Sequence, residues 1–279
     1  MDLVVQGSAL TSAEIAAIAA LAEAKGIHAL AAGSAPAYRL TRVASRAGVA
    51  EHCAAAGVDH AFVPPELTRD RVRVVAMDMD STLITIECID EIADRVGIKP
   101  EVAAVTAAAM RGEIDFAESL TRRVALLAGL PVSELERVYD ERVVISPGAQ
   151  RMLEGFRSVG AKTLLVSGGF TFFTDRLAAR LGFDETAANT LEVEAGRLTG
   201  RVIAPIVDGD TKAARLSAMR ERLAGADGIA LALGDGANDV PMLKAADISI
   251  AYRAKPVVRA QATYAIDHCA LDGVLNLFR

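Results

Sequence analysis

Cysteine is scarce: Cys53, Cys88 and Cys269 are the three in 279 residues. An odd count at such wide spacing excludes a disulfide framework and a thiolate zinc site, and it permits a reducing compartment. No apolar run reaches about eighteen residues, so no membrane helix is expected. Met1-Asp2-Leu3 opens without a basic stretch or a signal-peptide pattern, so a cytoplasmic setting is expected. A basic excess is missing too. Thirty Lys and Arg face 36 Asp and Glu, a net charge of −6, which argues against a nucleic-acid-binding face. There is no internal repeat, no G-x-x-x-x-G-K-[ST] phosphate loop and no loop of the EF-hand pattern.

What is present is a 52% hydrophobic chain, too apolar to be disordered. Residues 1–70 read as a small α+β unit in the order β-α-β-β-α-β. Leu3-Val4-Val5 is a short strand. Thr11 or Ser12 caps a helix with Ile15, Ile18, Ala19 and Ala22 on its apolar stripe, and Gly26 ends it. Short apolar segments follow at 28–31 and 38–43, then a helix over 45–56 stopped by Gly57, then a strand over 58–63. Pro64-Pro65 interrupts regular structure, and a domain boundary is expected before Arg71.

Beyond it, buried-strand signals at 72–77, 163–166, 229–233 and 248–250 lack period-2 alternation, as parallel strands do. Helical patterns over 149–159, 211–223 and 241–245 precede the last three. Such alternation predicts a parallel sheet covered on both faces, with ligands at its carboxyl edge. Residues 87–142 hold only helix signals and read as a helical insert after the first of these strands. Ile89, Ile92, Ala93 and Val96 form one stripe, Pro100 opens a second helix, Asp115 caps a third reaching Ala128, and Ser133 caps a fourth. Leu191–Val193 and Leu198–Ile203 suggest a hairpin turning at Gly196.

The chemistry concentrates where those strands end. Asp78-Met79-Asp80-Ser81-Thr82 places two carboxylates at the end of a buried strand, a costly arrangement unless a cation or proton compensates. Gly234-Asp235-Gly236-Ala237-Asn238-Asp239 is a second acidic cluster after a buried strand, suited to the other half of a magnesium site. Ser167-Gly168-Gly169-Phe170 either cradles a phosphate on backbone N–H groups or is an ordinary turn. Lys212 meets phosphate or solvent. Arg123 shares a helical face with Phe116, Leu120 and Leu127; it either has a carboxylate or phosphate partner or snorkels at the edge. Glu87 caps the helix that follows it or binds a cationic group.

Taken together, these motifs resemble the haloacid dehalogenase-like phosphatases over about residues 72 to 275, and within them the phosphoserine phosphatases. Glu87, Phe116-Ala117-Glu118-Ser119-Leu120 with Arg123, and Ala254-Lys255-Pro256 carry the narrower resemblance. It implies a Rossmannoid parallel sheet (71–279) with a helical cap inserted at 87–142, behind an ACT-like unit at 1–70. It implies one Mg²⁺ per active site and hydrolysis of O-phospho-L-serine through an aspartyl-phosphate, the last step of phosphorylated serine biosynthesis. Asp78 is then the nucleophile and a metal ligand. Asp80 is general acid and base and lends the metal its backbone carbonyl, Asp235 completes the protein ligands, and Asp239 supports them. Ser167, Gly168, Lys212 and Asn238 hold phosphate; Glu87 faces the substrate ammonium and Arg123 its carboxylate, while Met110 and Phe116 line the cap. A homodimer and amino-acid binding by residues 1–70 are further expectations, and no nucleic-acid or membrane partner is expected. The competing readings are a phosphatase for another small ester and a non-catalytic amino-acid sensor.

Overall fold

The computed structural model describes residues 1–223, 225 and 227–279. The first unit contains β1 (Asp2–Gln6), α1 (Ser12–Leu21), β2 (Gly26–Leu30), β3 (Ala37–Thr41), α2 (Val49–Ala56) and β4 (Asp59–Val63). Its four strands form an antiparallel sheet in the order β2-β3-β1-β4, with Leu3, Val5 and Leu40 packed on Ile15, Ile18, Val49 and Cys53 of the two helices. The Thr11 hydroxyl caps α1 by accepting from Glu14 N. That helix stops at Leu21, five residues before Gly26, because Gly26 already pairs with Thr41 in the sheet. Helix α2 starts at Val49, later than the sequence pattern suggests, because Gly48 adopts a left-handed conformation just before it.

β1 is buried along its whole length, Asp2 and Gln6 included. Its second face explains this: Val4, Ala61 and Val63 belong to the core of the larger unit and lie with Leu67, Val274 and Phe278. The small sheet is therefore sandwiched between its own helices and the rest of the chain.

The larger unit begins with β5 (Val72–Met77). Four helices follow, α3 (Cys88–Arg95), α4 (Lys99–Met110), α5 (Phe116–Ala125) and α6 (Ser133–Arg142). Then come α7 (Ala149–Arg157), β6 (Lys162–Phe170), α8 (Thr171–Leu181), β7 (Glu185–Glu194), β8 (Arg197–Ile203), α9 (Gly209–Leu223), β9 (Ile229–Gly234), α10 (Val240–Ala245), β10 (Ile248–Tyr252), α11 (Pro256–Arg259) and β11 (Tyr264–Ile266). The sheet order is β11-β10-β9-β5-β6-β7-β8. All neighbours are parallel except the β7–β8 hairpin, so the sheet is mixed at that edge. β5 alternates between two cores: Val75 and Met77 face the layer of α7 and α8, while Val74 and Ala76 face that of α9 and α10.

Among the helices after β5, Asp115 caps α5 by accepting from Glu118 N, but α5 ends at Ala125 rather than Ala128. Ser133 makes no cap bond; it is the first helical residue of α6, after Val132. The hairpin turns through Ala195 and Gly196, both at positive φ. Strand β11 and a 3-10 segment over Leu271–Leu277 close the chain; neither carries a pattern strong enough to announce it. No helix among the described residues is long and apolar enough to cross a membrane.

Candidate active site

Adjacent central strands β5, β6 and β9 end at one edge, and the polar segments after them meet there. Asp78 follows β5 directly, its N–H bonded to the Leu233 carbonyl at 3.1 Å. The chain then winds through one wide turn, Met79–Leu83, with Ser81 at φ 56°. A non-glycine residue there is strained. The turn sends the Thr82 hydroxyl to Asp235 Oδ1, at 3.1 Å, and the Ser81 hydroxyl to Glu87 Oε1, at 2.7 Å. Asp80 Oδ1 accepts from Cys88 N at 3.0 Å. Glu87 thus stands at the start of α3 without capping it.

Lys212 lies in the first turn of α9, which Asp208 caps by accepting from Thr211 N and Oγ1 at 2.8 Å. The lysine is fully buried, so the solvated reading of it fails. Its ammonium donates to Asp78 Oδ1 at 2.5 Å and Asp239 Oδ1 at 2.7 Å. Burial opposes its charge, but those two carboxylates more than compensate and its pKa rises. The other Asp239 oxygen accepts the Asp235 and Gly236 N–H groups at 3.1 and 3.0 Å. Gly234 permits that loop, since a Cβ there would stand 2.5 Å from Asp239 Oδ2.

Oxygens of Asp78, Asp235 and Asp239 all lie within 4.8 Å of one another. Asp78 and Asp239 therefore share one ammonium in a poorly hydrated place, and Asp235 lies beside them with no share in it. Burial, then the Asp239 charge, push the Asp78 carboxyl well above its ordinary value, while Lys212 opposes this. Asp235 is pushed up to about 6 by burial and by Asp239, and Asp80 to about 7 by burial and the Glu87 charge. The negative excess and the all-oxygen donor set fit a hard divalent cation.

A cavity of about 540 Å³ opens over this cluster. Of the residues singled out in sequence, Asp78, Asp80, Asp235, Ser167, Gly168 and Asn238 line its floor, and Glu87, Met110, Phe116 and Arg123 its cap side. Lys212 and Asp239 sit beneath the floor. Met110 is 70% exposed, so it edges the cavity rather than filling it. Arg123 Nε donates to the Ser119 carbonyl one turn back, at 3.3 Å. No carboxylate among the described residues pairs with its guanidinium, which is thus available to a ligand. Burial lowers its pKa, and the charges of Asp90, Glu87 and Asp80 oppose that.

The phosphate-loop candidate is not a turn after a strand, since β6 continues to Phe170. Its register against β7 jumps from Val166–Ala187 to Phe170–Asn189, so Ser167, Gly168 and Gly169 bulge out of the ladder. Ser167 Oγ accepts from Gly169 N at 2.8 Å, leaving its own proton for a ligand. A Cβ on Gly169 would stand 2.7 Å from Asp80 Oδ2, so only glycine lets the bulge close on the acid pair.

A model of the haloacid dehalogenase-like hydrolases matches residues 75–244. A phosphoserine phosphatase of Polaromonas sp. is 50% identical over 220 residues, covering 77% of this chain and 93% of its own. The chain belongs to the phosphoserine phosphatase family. Two solved structures agree. The unliganded probable phosphoserine phosphatase of Vibrio cholerae superposes with a TM-score of 0.83 at 32% identity, over 99% of this chain and 85% of its own. A phospho-aspartyl intermediate analogue of phosphoserine phosphatase superposes at 0.68 and 33% identity, over 75% of this chain and 99% of its own. The first match spans nearly the whole chain, so the ACT-like sheet is part of the shared architecture. Thr82, which holds Asp235, was visible in sequence only as part of a motif. Lys255 on the cavity wall was visible only as a family mark.

Proposed function

We propose that this chain hydrolyses O-phospho-L-serine to L-serine and phosphate, with one Mg²⁺ bound at Asp78, Asp235 and the Asp80 backbone carbonyl. The carrying observation is one cavity with an acid cluster on its floor, a buried lysine beneath it, and Glu87 and an Arg123 with no carboxylate partner among the described residues on its other side. The metal, when bound, neutralises charge between Asp78 and the dianionic ester.

An Asp78 oxygen attacks phosphorus in line as the bond from phosphorus to the seryl oxygen breaks, giving an aspartyl-phosphate. Asp80, with a pKa of about 7, protonates the leaving oxygen near neutrality. It then takes a proton from the water that attacks the intermediate, releasing phosphate and restoring Asp78. Ser167 Oγ, the Gly168 N–H, Asn238 and Lys212 hold the phosphoryl oxygens. Asp239 supports the site rather than ligating, because one of its oxygens carries the ammonium and the other two N–H groups. Glu87 receives the substrate ammonium and Arg123 its carboxylate, while Phe116 and Met110 exclude water from the bound ester.

The same reading divides the chain into 1–70 and 71–279, with 87–142 as the cap, in a cytoplasmic protein. It includes homodimerisation, which sedimentation would test, and serine binding to residues 1–70, which calorimetry on the full chain with metal-free active sites would test. The full chain is needed because the small sheet packs its second face on the larger unit. The central test is phosphate release from O-phospho-L-serine, its D-enantiomer, phosphothreonine, phosphoethanolamine and a sugar phosphate, with EDTA and with Mg²⁺ restored. Preference for O-phospho-L-serine over phosphoethanolamine is expected. Another favourite would discard the substrate while keeping the acid pair, and inactivity on every ester would leave the sensor reading.

A further inference from the structure

We infer that Asn189 is a positioning residue that sets the spacing of the two phosphate-binding segments, the bulge at Ser167–Gly169 and the turn that carries Lys212. The inference rests on the phosphatase reading above. Asn189 lies within β7, is fully buried, and touches no candidate catalytic group with its own reacting atoms. Asparagine is disfavoured inside a strand, and its amide must be paired when buried.

Every hydrogen-bonding hydrogen of that amide is used. Nδ2 donates to the Gly168 carbonyl at 2.9 Å and to the Val207 carbonyl at 3.2 Å. Oδ1 accepts from Val207 N at 2.8 Å. These partners fix the orientation, since two carbonyls require the NH₂ end and one N–H requires the oxygen. Phe170 is paired directly with Asn189, so the residue stands just where the bulge rejoins the ladder. Its side chain substitutes for the ladder partner that Gly168 loses by bulging. On its other side it treats Val207 as a strand neighbour, taking both of that residue's backbone groups.

Val207 precedes Asp208, whose carboxylate caps α9 and whose carbonyl accepts from Lys212 N at 3.0 Å. One amide thereby connects Gly168 to the segment that aims Lys212 at Asp78. The aspartates reach the site through β5 and β9 and share none of these bonds. Lys212 still touches Asp78, so a change at Asn189 should disturb phosphate binding more than metal binding rather than leave the latter untouched.

The test compares wild type with Asn189→Asp and Asn189→Ala. Asp keeps the shape but sets an oxygen against two carbonyls; Ala removes the bridge. Measured are kcat/KM for O-phospho-L-serine, the inhibition constant of inorganic phosphate, the Mg²⁺ activation constant, and folding by circular dichroism and thermal melting. Expected is a folded protein with kcat/KM lowered about a hundredfold and phosphate inhibition weakened about tenfold, since misplacement by about 1 Å has that scale of effect. The Mg²⁺ constant should change by less than the phosphate inhibition constant. Wild-type values in both folded variants would overturn the inference. So would an equal loss of Mg²⁺ affinity, or failure of both variants to fold, which would assign Asn189 to the core alone. Wild type inactive on every ester would instead overturn the phosphatase reading.

Discussion

Two regions of this molecule bury charge, and they treat it oppositely. Where the small sheet meets the C-terminal segment, each buried charged side chain has partners, although Arg39 Nη1 makes no hydrogen bond and lies 3.7 Å from Asp2 Oδ2. Arg39 Nη2 donates to the carbonyls of Asn276, Leu277 and Phe278 at 3.0–3.2 Å. Asp59 accepts the N–H groups of Asp267, His268 and Cys269, and Asp2 takes Arg279 and Arg42 N. At the carboxyl edge of the large sheet, Asp78 and Asp239 compete for one lysine, and Asp235 beside them has no cationic partner among the described residues. The first arrangement has no use for a ligand and holds two units together. The second leaves a negative excess that a divalent cation could balance. A buried charge points to function when it is left unbalanced.

Breaking the unbalanced region should cost activity and not stability. Asp78→Asn removes the proposed nucleophile, and kcat should fall at least about a thousandfold. Without metal, the melting temperature should hold or rise, because a carboxylate repelled by Asp239 is gone. Retained turnover would sink the nucleophile assignment. The matched region should show the converse. Arg39→Ala strands three carbonyls and should lower unfolding stability by about 3 kcal/mol while kcat below the transition stays within about twofold. A large kcat loss at unchanged stability would show that the two regions are coupled. Arg123→Ala sharpens the comparison within the cavity. It should lower kcat/KM for O-phospho-L-serine about thirtyfold, or about 2 kcal/mol, and spare phosphoethanolamine; equal losses on both would refute its carboxylate role.

The smallest effect is on pH dependence. The folded pKa of Asp235, about 6, lies above its ordinary 3.8. Its contribution to the stability of the metal-free protein is thus complete below about 3.8 and lost as pH rises through about 6. Mg²⁺ binds the ionised form, so the rise in melting temperature on adding it should grow between about pH 5 and pH 8. A rise independent of pH would show that these carboxylates are already ionised at the lower end.

The motifs were legible because each is local. A carboxylate pair after an apolar strand, glycines around Asp235 and four helical stripes in sequence need no partner to be recognised. The helix ends at Leu21 and Val49 were not, since strand pairing at Gly26 and the turn at Gly48 overrode the apolar pattern. Arg123 and Glu87 were legible as candidates, but their shared cavity depends on how the cap packs. Lys212 read as meeting either phosphate or solvent because Asp78, which pairs with its ammonium, is 134 residues away in the chain.

By itself the sequence determined the apolar strands, the run of helices after β5, and the acidic, serine and glycine motifs. All of these are set by period and spacing within a few residues. Only the tertiary structure decided that β1 is buried on both faces, that Ser167–Gly169 bulges from its ladder, and that Asn189 bridges Gly168 to Val207. Each of these requires segments distant in sequence to meet, and a polar side chain acquires its role only when burial removes water as its alternative partner.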